Sequence, residues 1–241
     1  GMVTLAGLPV GVGEPAINPV PRTMMEEVVN EICSEYGLPA DVEITISIPG
    51  GDAIALKTWN PRLGIVGGLS VLGTTGIVQP FSIHRGIDVA RAAGLNHVLG
   101  ATGSTSETAA QKIYNLPDIA LLDMGDFAGG LLKYLRRHPV ERLTIAGGFA
   151  KLVKLAQGAM DLHSSRSQVD MEFLADIIPA ADMNNELKQR IQSANTALEV
   201  LQMTQELNID ITPIIARMAC EAAKGTLRDA AANIVERMED E

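Results

Sequence analysis

The first third of the chain carries a helical pattern followed by an alternating one. Between Pro19 and Gly37, apolar residues recur at helical spacing, which predicts a helix because proline favours the first turn of a helix and glycine favours its end. In 42–48 every second residue is Val or Ile, as in a half-buried strand. With 53–58 as a second strand, this stretch predicts an antiparallel hairpin with the helix packed on it.

The middle of the chain repeats a different pattern. Three short apolar runs, at 95–101, 119–124 and 143–146, are separated by helical segments at 105–114 and 127–137. This alternation predicts a β-α-β-α-β unit whose strands are parallel and whose crossovers are right-handed. Each run ends in small or acidic residues. Since ligands of open parallel sheets bind beyond the carboxyl ends of the strands, we expect a crevice there.

From residue 170 onward the pattern is helical, at 184–206, 213–223 and 226–238. The whole pattern therefore predicts an α/β plus α+β protein with two domains. Residues 2–86 would form an α+β domain with a glycine-rich loop, as an incomplete sandwich. Residues 87–241 would form a small parallel-sheet, Rossmann-like unit with a helical C-terminal tail.

Composition narrows the classes of function. The 241 residues carry a net charge of −10 and are 3% aromatic, which argues against binding of nucleic acid or anionic lipid. The two cysteines exclude a disulfide framework and a cysteine-based zinc site. No apolar run is long enough to span a membrane and no signal peptide precedes the first element, so we expect a cytoplasmic protein. No metal site emerges, and the pattern leaves open a homo-oligomer.

The densest candidate feature is the glycine-rich stretch 60–78. Glycine at this density lets the backbone approach a ligand closely and exposes its N–H groups. The stretch is neither a Walker loop nor a dinucleotide fingerprint, because it lacks both spacings. A tight loop whose glycines serve packing stays open as the alternative. The residues assigned to ligand binding here are Gly64, Gly67, Gly68, Gly73, Thr74, Thr75 and Gly76.

The predicted strand ends supply a second group of candidates. Their members are Thr102, Gly103, Asp123 and Asp126. An acidic residue at a strand end often accepts the hydroxyl groups of a ribose. The alternative for Asp126 is that it caps the next helix.

Lysines and histidines complete the candidates from residue chemistry. Gly147-Gly148 opens a helix that carries Lys151 and Lys154 on one face, and the start of a helix favours an anion. An ordinary pair of surface lysines is the alternative. His84 and His163 could each act as an acid or base, or be ordinary histidines at a helix end or on the surface.

Four segments together resemble the CbiD-type cobalt-precorrin methyltransferases. They lie at 12–22, 60–78, 124–127 and 151–164, and the resemblance covers most of 8–200. It implies transfer of a methyl group from S-adenosylmethionine to ring carbon 1 of cobalt-precorrin-5B, which gives cobalt-precorrin-6A in anaerobic cobalamin (vitamin B12) biosynthesis. Members of the family carry a further N-terminal segment with no counterpart here, so we expect the α+β domain to be incomplete.

The roles of the candidate residues are hypotheses that suit the resemblance, although the motif match does not itself assign them. The glycine-rich loop and the strand ends would hold the methyl donor, and His84 and His163 would be catalytic. Cations suit a polycarboxylate macrocycle, because arginine binds carboxylates bidentately. Two alternatives stay open: a nicotinamide-dependent reductase, disfavoured by the missing G-x-G-x-x-G motif, and a tetrapyrrole-binding fragment without catalysis. The candidate substrate-binding residues are Arg22, Arg62, Arg85, Lys151, Lys154, Ser164 and Arg166.

Overall fold

A computed structural model of the chain describes residues 1–71, 82–228 and 233–235. It divides into two compact units, Gly1–Gly94 and Leu95–Glu241.

The first unit is built around a short two-stranded sheet. Strand β1 pairs antiparallel with β2, with Met2 opposite Val66 and Val3 opposite Ile65. A small core forms against this sheet from Val3, Val10, Ala16, Leu63, Ile65 and Val89. The elements are β1 (Met2–Val3), α1 (Pro19–Glu35), α2 (Gly51–Ala55), β2 (Ile65–Val66) and α3 (Ser82–Ala92).

The helix predicted after Pro19 is confirmed as α1, but the predicted hairpin is wrong. Residues 42–48 form no regular structure, and all of them are exposed. The second predicted strand, 53–58, instead overlaps the short helix α2. Only Pro21 of α1 is buried. The expected packing of this helix on a hairpin is therefore absent from the described chain.

The second unit contains the predicted parallel sheet. Its strand order is β4-β3-β5-β6, and all three pairings are parallel. The prediction of a parallel β-α-β-α-β unit is thus confirmed over β3 to β5. The elements are β3 (His97–Ala101), α4 (Ser104–Tyr114), a 3₁₀ turn (Asp118–Ala120), β4 (Leu121–Asp123), α5 (Ala128–Leu135), β5 (Arg142–Ala146), α6 (Phe149–Ala156), α7 (Met171–Asp176), α8 (Asn185–Gln192), α9 (Ala197–Glu206), α10 (Thr212–Leu227) and β6 (Asn233–Val235).

Close packing holds helices against this sheet. A Cβ added to Gly100 of β3 would lie 2.5 Å from Leu131 Cδ2 of α5, so glycine lets the helix approach the central strand. The later helix α10 packs against both α5 and α6. Helix α5 therefore packs directly on the central strand, and α10 packs on the helices α5 and α6.

The C-terminal third differs from its predicted pattern in two places. The predicted helix 184–206 is two helices, α8 and α9, because Thr196 Oγ1 accepts a hydrogen bond from Glu199 N (3.1 Å) and starts a new helix. The predicted helix 226–238 is also wrong. Helix α10 ends at Leu227, and Asn233–Val235 is a strand beside β5.

Within 1–71 and 82–228, none of the helices has both the length and the apolar character that crossing a bilayer requires.

Candidate functional site at the strand ends

The last residue of β5 and the turn after β4 are both hydrogen-bonded to the carboxyl end of the central strand β3. Thr102 N donates to Ala146 O (2.9 Å) at the end of β5. Met124 N and Gly125 N both donate to Ala101 O, at 2.9 and 3.0 Å. Gly125 adopts a φ of 52°, which glycine tolerates best. Three strand ends are therefore held together at one edge of the sheet.

Lys151, in the first turn of α6, links all three of these ends. Its Nζ donates to Thr102 O (2.9 Å) and lies 3.1 Å from Asp126 Oδ1. Helix α5 has Phe127 at its N-cap, and no side chain caps it, so Asp126 is not the cap of that helix. Asp126 Oδ1 is buried, and no described donor makes a hydrogen bond to it with favourable geometry. The ion pair with Lys151 is therefore its main compensation for burial.

The loop after α6 lies along the turn that starts α5. Leu162 N donates to Asp126 O (2.8 Å), and Gly129 N donates to Met160 O (2.8 Å). A Cβ on Gly129 would lie 2.8 Å from Met160 Cβ, so only glycine allows this approach without a shift. Two of the segments singled out in the sequence, 124–127 and 151–164, are thus neighbours.

Lys154 does not share the environment of Lys151, although the two lie three residues apart on α6. Lys154 is 8% exposed, and its Nζ donates to Leu162 O (2.9 Å). Its ammonium group is therefore used to hold the loop that precedes His163.

Two glycines at this edge face open space. A Cβ on Gly103, before α4, or on Gly148, before α6, would meet no atom within 4 Å. Neither helix has a side-chain cap at its start, so backbone N–H groups remain at both starts. Gly147 is different, because its Cβ would lie 2.8 Å from Thr102 Cγ2 and Oγ1.

One exposed side chain ends β4, and another lies in the turn after it. Asp123 ends the strand and is exposed. A residue that accepts ribose hydroxyl groups must be accessible in this way. Phe127 is 49% exposed and was missed by the sequence reasoning. Its signal was its position in the segment 124–127 of a chain with only 3% aromatic residues.

His163 lies on the exposed loop after Leu162. Its Nδ1 accepts from Ser165 N (3.2 Å) and lies 2.8 Å from Ser165 Oγ. Because a backbone N–H can only donate, Nδ1 is the acceptor and the ring proton of the neutral form is on Nε2. Ser164 and Arg166 are exposed beside it.

In the first unit, the described part of the glycine-rich stretch is held by its own backbone. Asn60 is buried, and its Nδ2 donates to Gly68 O (3.3 Å). Gly64 has a φ of 71°, and its Cβ would lie 2.5 Å from Leu5 Cγ, so packing explains this glycine. Gly67 has a φ of 82° and faces open space. The candidates Gly73, Thr74, Thr75 and Gly76 lie outside the described residues.

The arginines of the first unit have different surroundings. Arg22 is engaged by its own segment: Nη1 lies 2.8 Å from Glu14 Oε2, and Nε donates to Ile17 O (2.9 Å). The Arg62 guanidinium lies over the ring of Trp59, 4.8 Å from its centroid.

Arg85 and His84 are half-buried in α3. Burial lowers the pKa of Arg85 from its usual value. No described carboxylate forms an ion pair with this guanidinium.

Among residues 1–71, 82–228 and 233–235, no group of three or more His, Cys, Asp or Glu side chains is placed to hold a metal ion.

Comparison with known proteins identifies relatives of this sequence. Two family models match, CbiD over residues 1–80 and the CbiD C-terminal domain over 161–236. The chain is 67% identical over 237 residues to the cobalt-precorrin-5B C(1)-methyltransferase of Brucella ovis, and 65% identical to that of Brucella anthropi. Each match covers 95% of this chain and 64% of the relative.

A solved structure also matches, that of the cobalamin biosynthesis protein (cbiD) from Archaeoglobus fulgidus. It is 28% identical and has a TM-score of 0.26, and the match covers 66% of this chain and 54% of that one. The two family models and the close relatives agree along most of the sequence. The chain therefore belongs to the CbiD family.

Proposed function

We propose that this chain contributes to the methylation of ring carbon 1 of cobalt-precorrin-5B, giving cobalt-precorrin-6A, with S-adenosylmethionine as methyl donor. One observation carries the proposal. Over 95% of its length the chain is 67% identical to proteins named cobalt-precorrin-5B C(1)-methyltransferase. Because the chain spans 64% of their length, the activity of the whole protein is part of the proposal.

The strand ends of the second unit have groups that suit the donor. The open helix starts behind Gly103 and Gly148 offer backbone N–H groups to a carboxylate. The exposed Asp123 can accept ribose hydroxyls, and the exposed ring of Phe127 offers a face on which a base can stack. S-adenosylmethionine, when bound there, would supply the electrophilic methyl group.

Positioning is the main work that these residues would do. Methyl transfer from a sulfonium is an in-line displacement, and holding the reactants in line accounts for much of its rate. Lys151 ties Thr102 and Asp126 together, so the turns that would surround the donor are fixed before it binds. The described residues thus support a preorganised donor site rather than a nucleophile.

The substrate requires cations, because it carries many carboxylates while the chain has a net charge of −10. Arg85 and Arg166 are the candidates whose side chains are best placed for this role. Arg85 is half-buried and without a described acidic partner, and Arg166 is exposed beside His163. His163, with Nε2 as the proton-bearing atom, is the candidate acid or base at that loop.

Calorimetry with S-adenosylhomocysteine tests the donor site. Gly148→Ser should preserve folding, because serine is a favoured N-cap residue and its side chain enters open space. Its hydroxyl would occupy the helix start, so we expect the dissociation constant to rise at least tenfold. Gly225→Ser is the matched control, since Gly225 also faces open space but lies in α10.

Two results would contradict the donor site. If Gly148→Ser bound with the parent affinity, the strand ends would not hold the donor. If the parent chain gave no binding heat, this chain would not carry a donor site at all.

The incomplete coverage of the relatives favours a second candidate, a tetrapyrrole-binding fragment without turnover. It predicts that a cobalt corrinoid changes its absorbance on binding while mass spectrometry finds no methylated product. Turnover of cobalt-precorrin-5B by this chain alone would exclude it.

A further inference from the structure

Two lysines of one helix hold two different parts of the candidate site. Lys151 and Lys154 lie three residues apart in α6. Lys151 Nζ lies 3.1 Å from Asp126 Oδ1, in the turn after β4. Lys154 Nζ donates to Leu162 O (2.9 Å), in the loop that follows the helix. Helix α6 therefore contacts both the turn that would bind the donor and the loop beside it.

That loop is also bonded to the turn directly. We call residues 158–167 the His163 loop, after the candidate acid or base that it carries. Leu162 N donates to Asp126 O (2.8 Å), so the turn holds the N–H of Leu162 while Lys154 holds its C=O. Leu162 is 1% exposed, and the next residue, His163, is exposed. The backbone directly before His163 is therefore fixed on both sides.

Lys154 holds the start of the loop as well. Helix α6 ends at Ala156, and Gly158 adopts a φ of 89°, as a glycine that closes a helix does. Ala159 N then donates to Lys154 O (2.9 Å). Lys154 therefore bonds the loop twice, through its backbone carbonyl at Ala159 and through its ammonium group at Leu162.

Together these contacts form a closed ring. The backbone of Asp126 is bonded to Leu162, and Leu162 is bonded to Lys154. Helix α6 joins Lys154 to Lys151, and Lys151 returns to the carboxylate of Asp126. A shift of the turn therefore has to move Leu162 or distort a hydrogen bond, because hydrogen bonds weaken steeply away from their preferred geometry.

Burial of Lys154 favours a role in placing the loop over a role in stability. Lys154 is 8% exposed, and its described acceptor is a neutral backbone carbonyl. Moving an ammonium group out of water is costly, and a carbonyl compensates for only part of that cost. A methionine would fill similar space without this cost. The charge is therefore better explained by the carbonyl that it holds in place.

We propose that Lys154 is a positioning residue for His163, and that it couples the His163 loop to the turn 123–127. The proposal rests on the proposed donor site at the strand ends. When the donor binds at the turn, the resulting shift reaches His163 through Leu162. By linkage, a ligand bound at the His163 loop changes the affinity for the donor by the same factor as the donor changes the affinity for that ligand.

Hydrogen exchange of the chain alone tests the positioning role. Lys154→Met removes the ammonium group and leaves a side chain that fills similar space, so we expect a melting temperature within about 3 °C of the parent value. The Leu162 amide should exchange at least tenfold faster, because its peptide group is then held on one side only. Lys133→Met, at an exposed position of α5, is the matched control and should leave this rate within twofold. Lys154→Arg, which keeps a charged donor, should restore it to within threefold.

NMR of the His163 ring tests the coupling. In the parent chain, S-adenosylhomocysteine should shift the ring signals of His163. Lys154→Met should bind it with a dissociation constant within threefold of the parent value, because the groups proposed to contact the donor are unchanged. The shift of the His163 signals should nevertheless be at least fivefold smaller. A role of Lys154 in folding alone would not produce this difference between two proteins that bind the donor equally.

Several results would overturn the proposal. On the chain alone, these are loss of the fold in Lys154→Met, a parent-like exchange rate of Leu162 in that variant, or an equal acceleration in Lys133→Met. With the donor bound, they are an equal His163 response in parent and variant, or no response in the parent. Absence of donor binding to the parent would contradict the proposed function instead, and the exchange rates of Leu162 would then still decide the positioning role.

Discussion

The ammonium group of Lys151 shows how one side chain can organise a site. We expect Lys151→Met to lower the free energy of unfolding by about 1 kcal/mol, because the ion pair is only partly shielded from water and Asp126 would lose its compensating charge. Urea denaturation measures this change. Lys133→Met, at an exposed position of α5, is the control.

A double-mutant cycle with Asp126→Asn then separates the pair from the individual side chains. If Lys151 and Asp126 act as a pair, their effects on the unfolding free energy will be non-additive by about 0.5–1 kcal/mol. Strict additivity would mean that the 3.1 Å approach contributes nothing to stability.

The consecutive residues Gly147 and Gly148 have different reasons to be glycine. Gly147→Ala would push a Cβ to 2.8 Å from Thr102, and crowding of this kind in a packed region costs about 1–3 kcal/mol. Gly103→Ala, with extended backbone and open space, should cost only a few tenths of a kcal/mol. Chemical denaturation of both variants checks this difference, and equal stabilities would contradict the assigned packing role.

At the scale of elements, the amino ends of β3 and β5, opposite the candidate site, contain an ionisable cluster. His97 and Arg142 are register partners, and His97 Nε2 lies 2.8 Å from Thr144 Oγ1. Burial first, and then the charge of Arg142, lowers the pKa of His97 below its usual 6.5. Tyr114 packs edge-on to the His97 ring and under the Arg142 guanidinium.

The sign of the resulting pH dependence follows from this lowered pKa. The folded protein favours the neutral imidazole, so this contribution to stability is complete above about pH 6.5 and is lost as the pH falls below that value. Arg142→Met should raise the pKa of His97, since it removes one of the two causes. Titration of the His97 ring signals by NMR measures this, with Arg137→Met as an exposed control, and an unchanged pKa would contradict the coupling.

The elements that the sequence predicted well are those whose partners lie nearby in the sequence. Strands β3 to β5 follow one another with one helix between each pair, so local patterns determine both the elements and their parallel pairing. The division between α8 and α9 also had a local signal that the prediction overlooked: Thr196 Oγ1 accepts a hydrogen bond from Glu199 N, and Glu199 Oε2 accepts one from Asn195 N. By contrast, β6 pairs with β5 from about 90 residues away, and its short pattern resembled a helix.

The failed hairpin has a different physical cause. Alternation in 42–48 reports which side chains prefer burial, but it does not supply the neighbouring strand. Among the described residues no strand is paired with this segment. The alternating pattern typical of a strand is therefore present, but the strand is not formed. Residues 42–48 are therefore the segment in which sequence pattern and observed structure disagree most.

The candidate site was predictable in location but not in detail. Glycines and acidic residues after parallel strands indicated the strand ends. The pairing of Lys151 with Asp126 and the burial of Lys154 depend on how α6 and its loop lie against α5, which residue spacing does not reveal. The exposed Phe127 escaped notice because a single aromatic residue in a turn has no periodic signal.

At the scale of the whole molecule, the two compact units predict a localised response to the donor. Hydrogen exchange with and without S-adenosylhomocysteine should show slower exchange at the starts of α4 and α6 and in the turn 123–127, because bound ligand covers those amides. Amides of α1 and of 42–48 should exchange at the same rate in both samples, since the proposed donor site uses no residue of either. Slowing confined to the first unit would move the donor site to the glycine-rich stretch, and slowing in neither unit would contradict donor binding. The Gly148→Ser variant, which should lose the protection at α6 while keeping its fold, makes the comparison specific to that helix start.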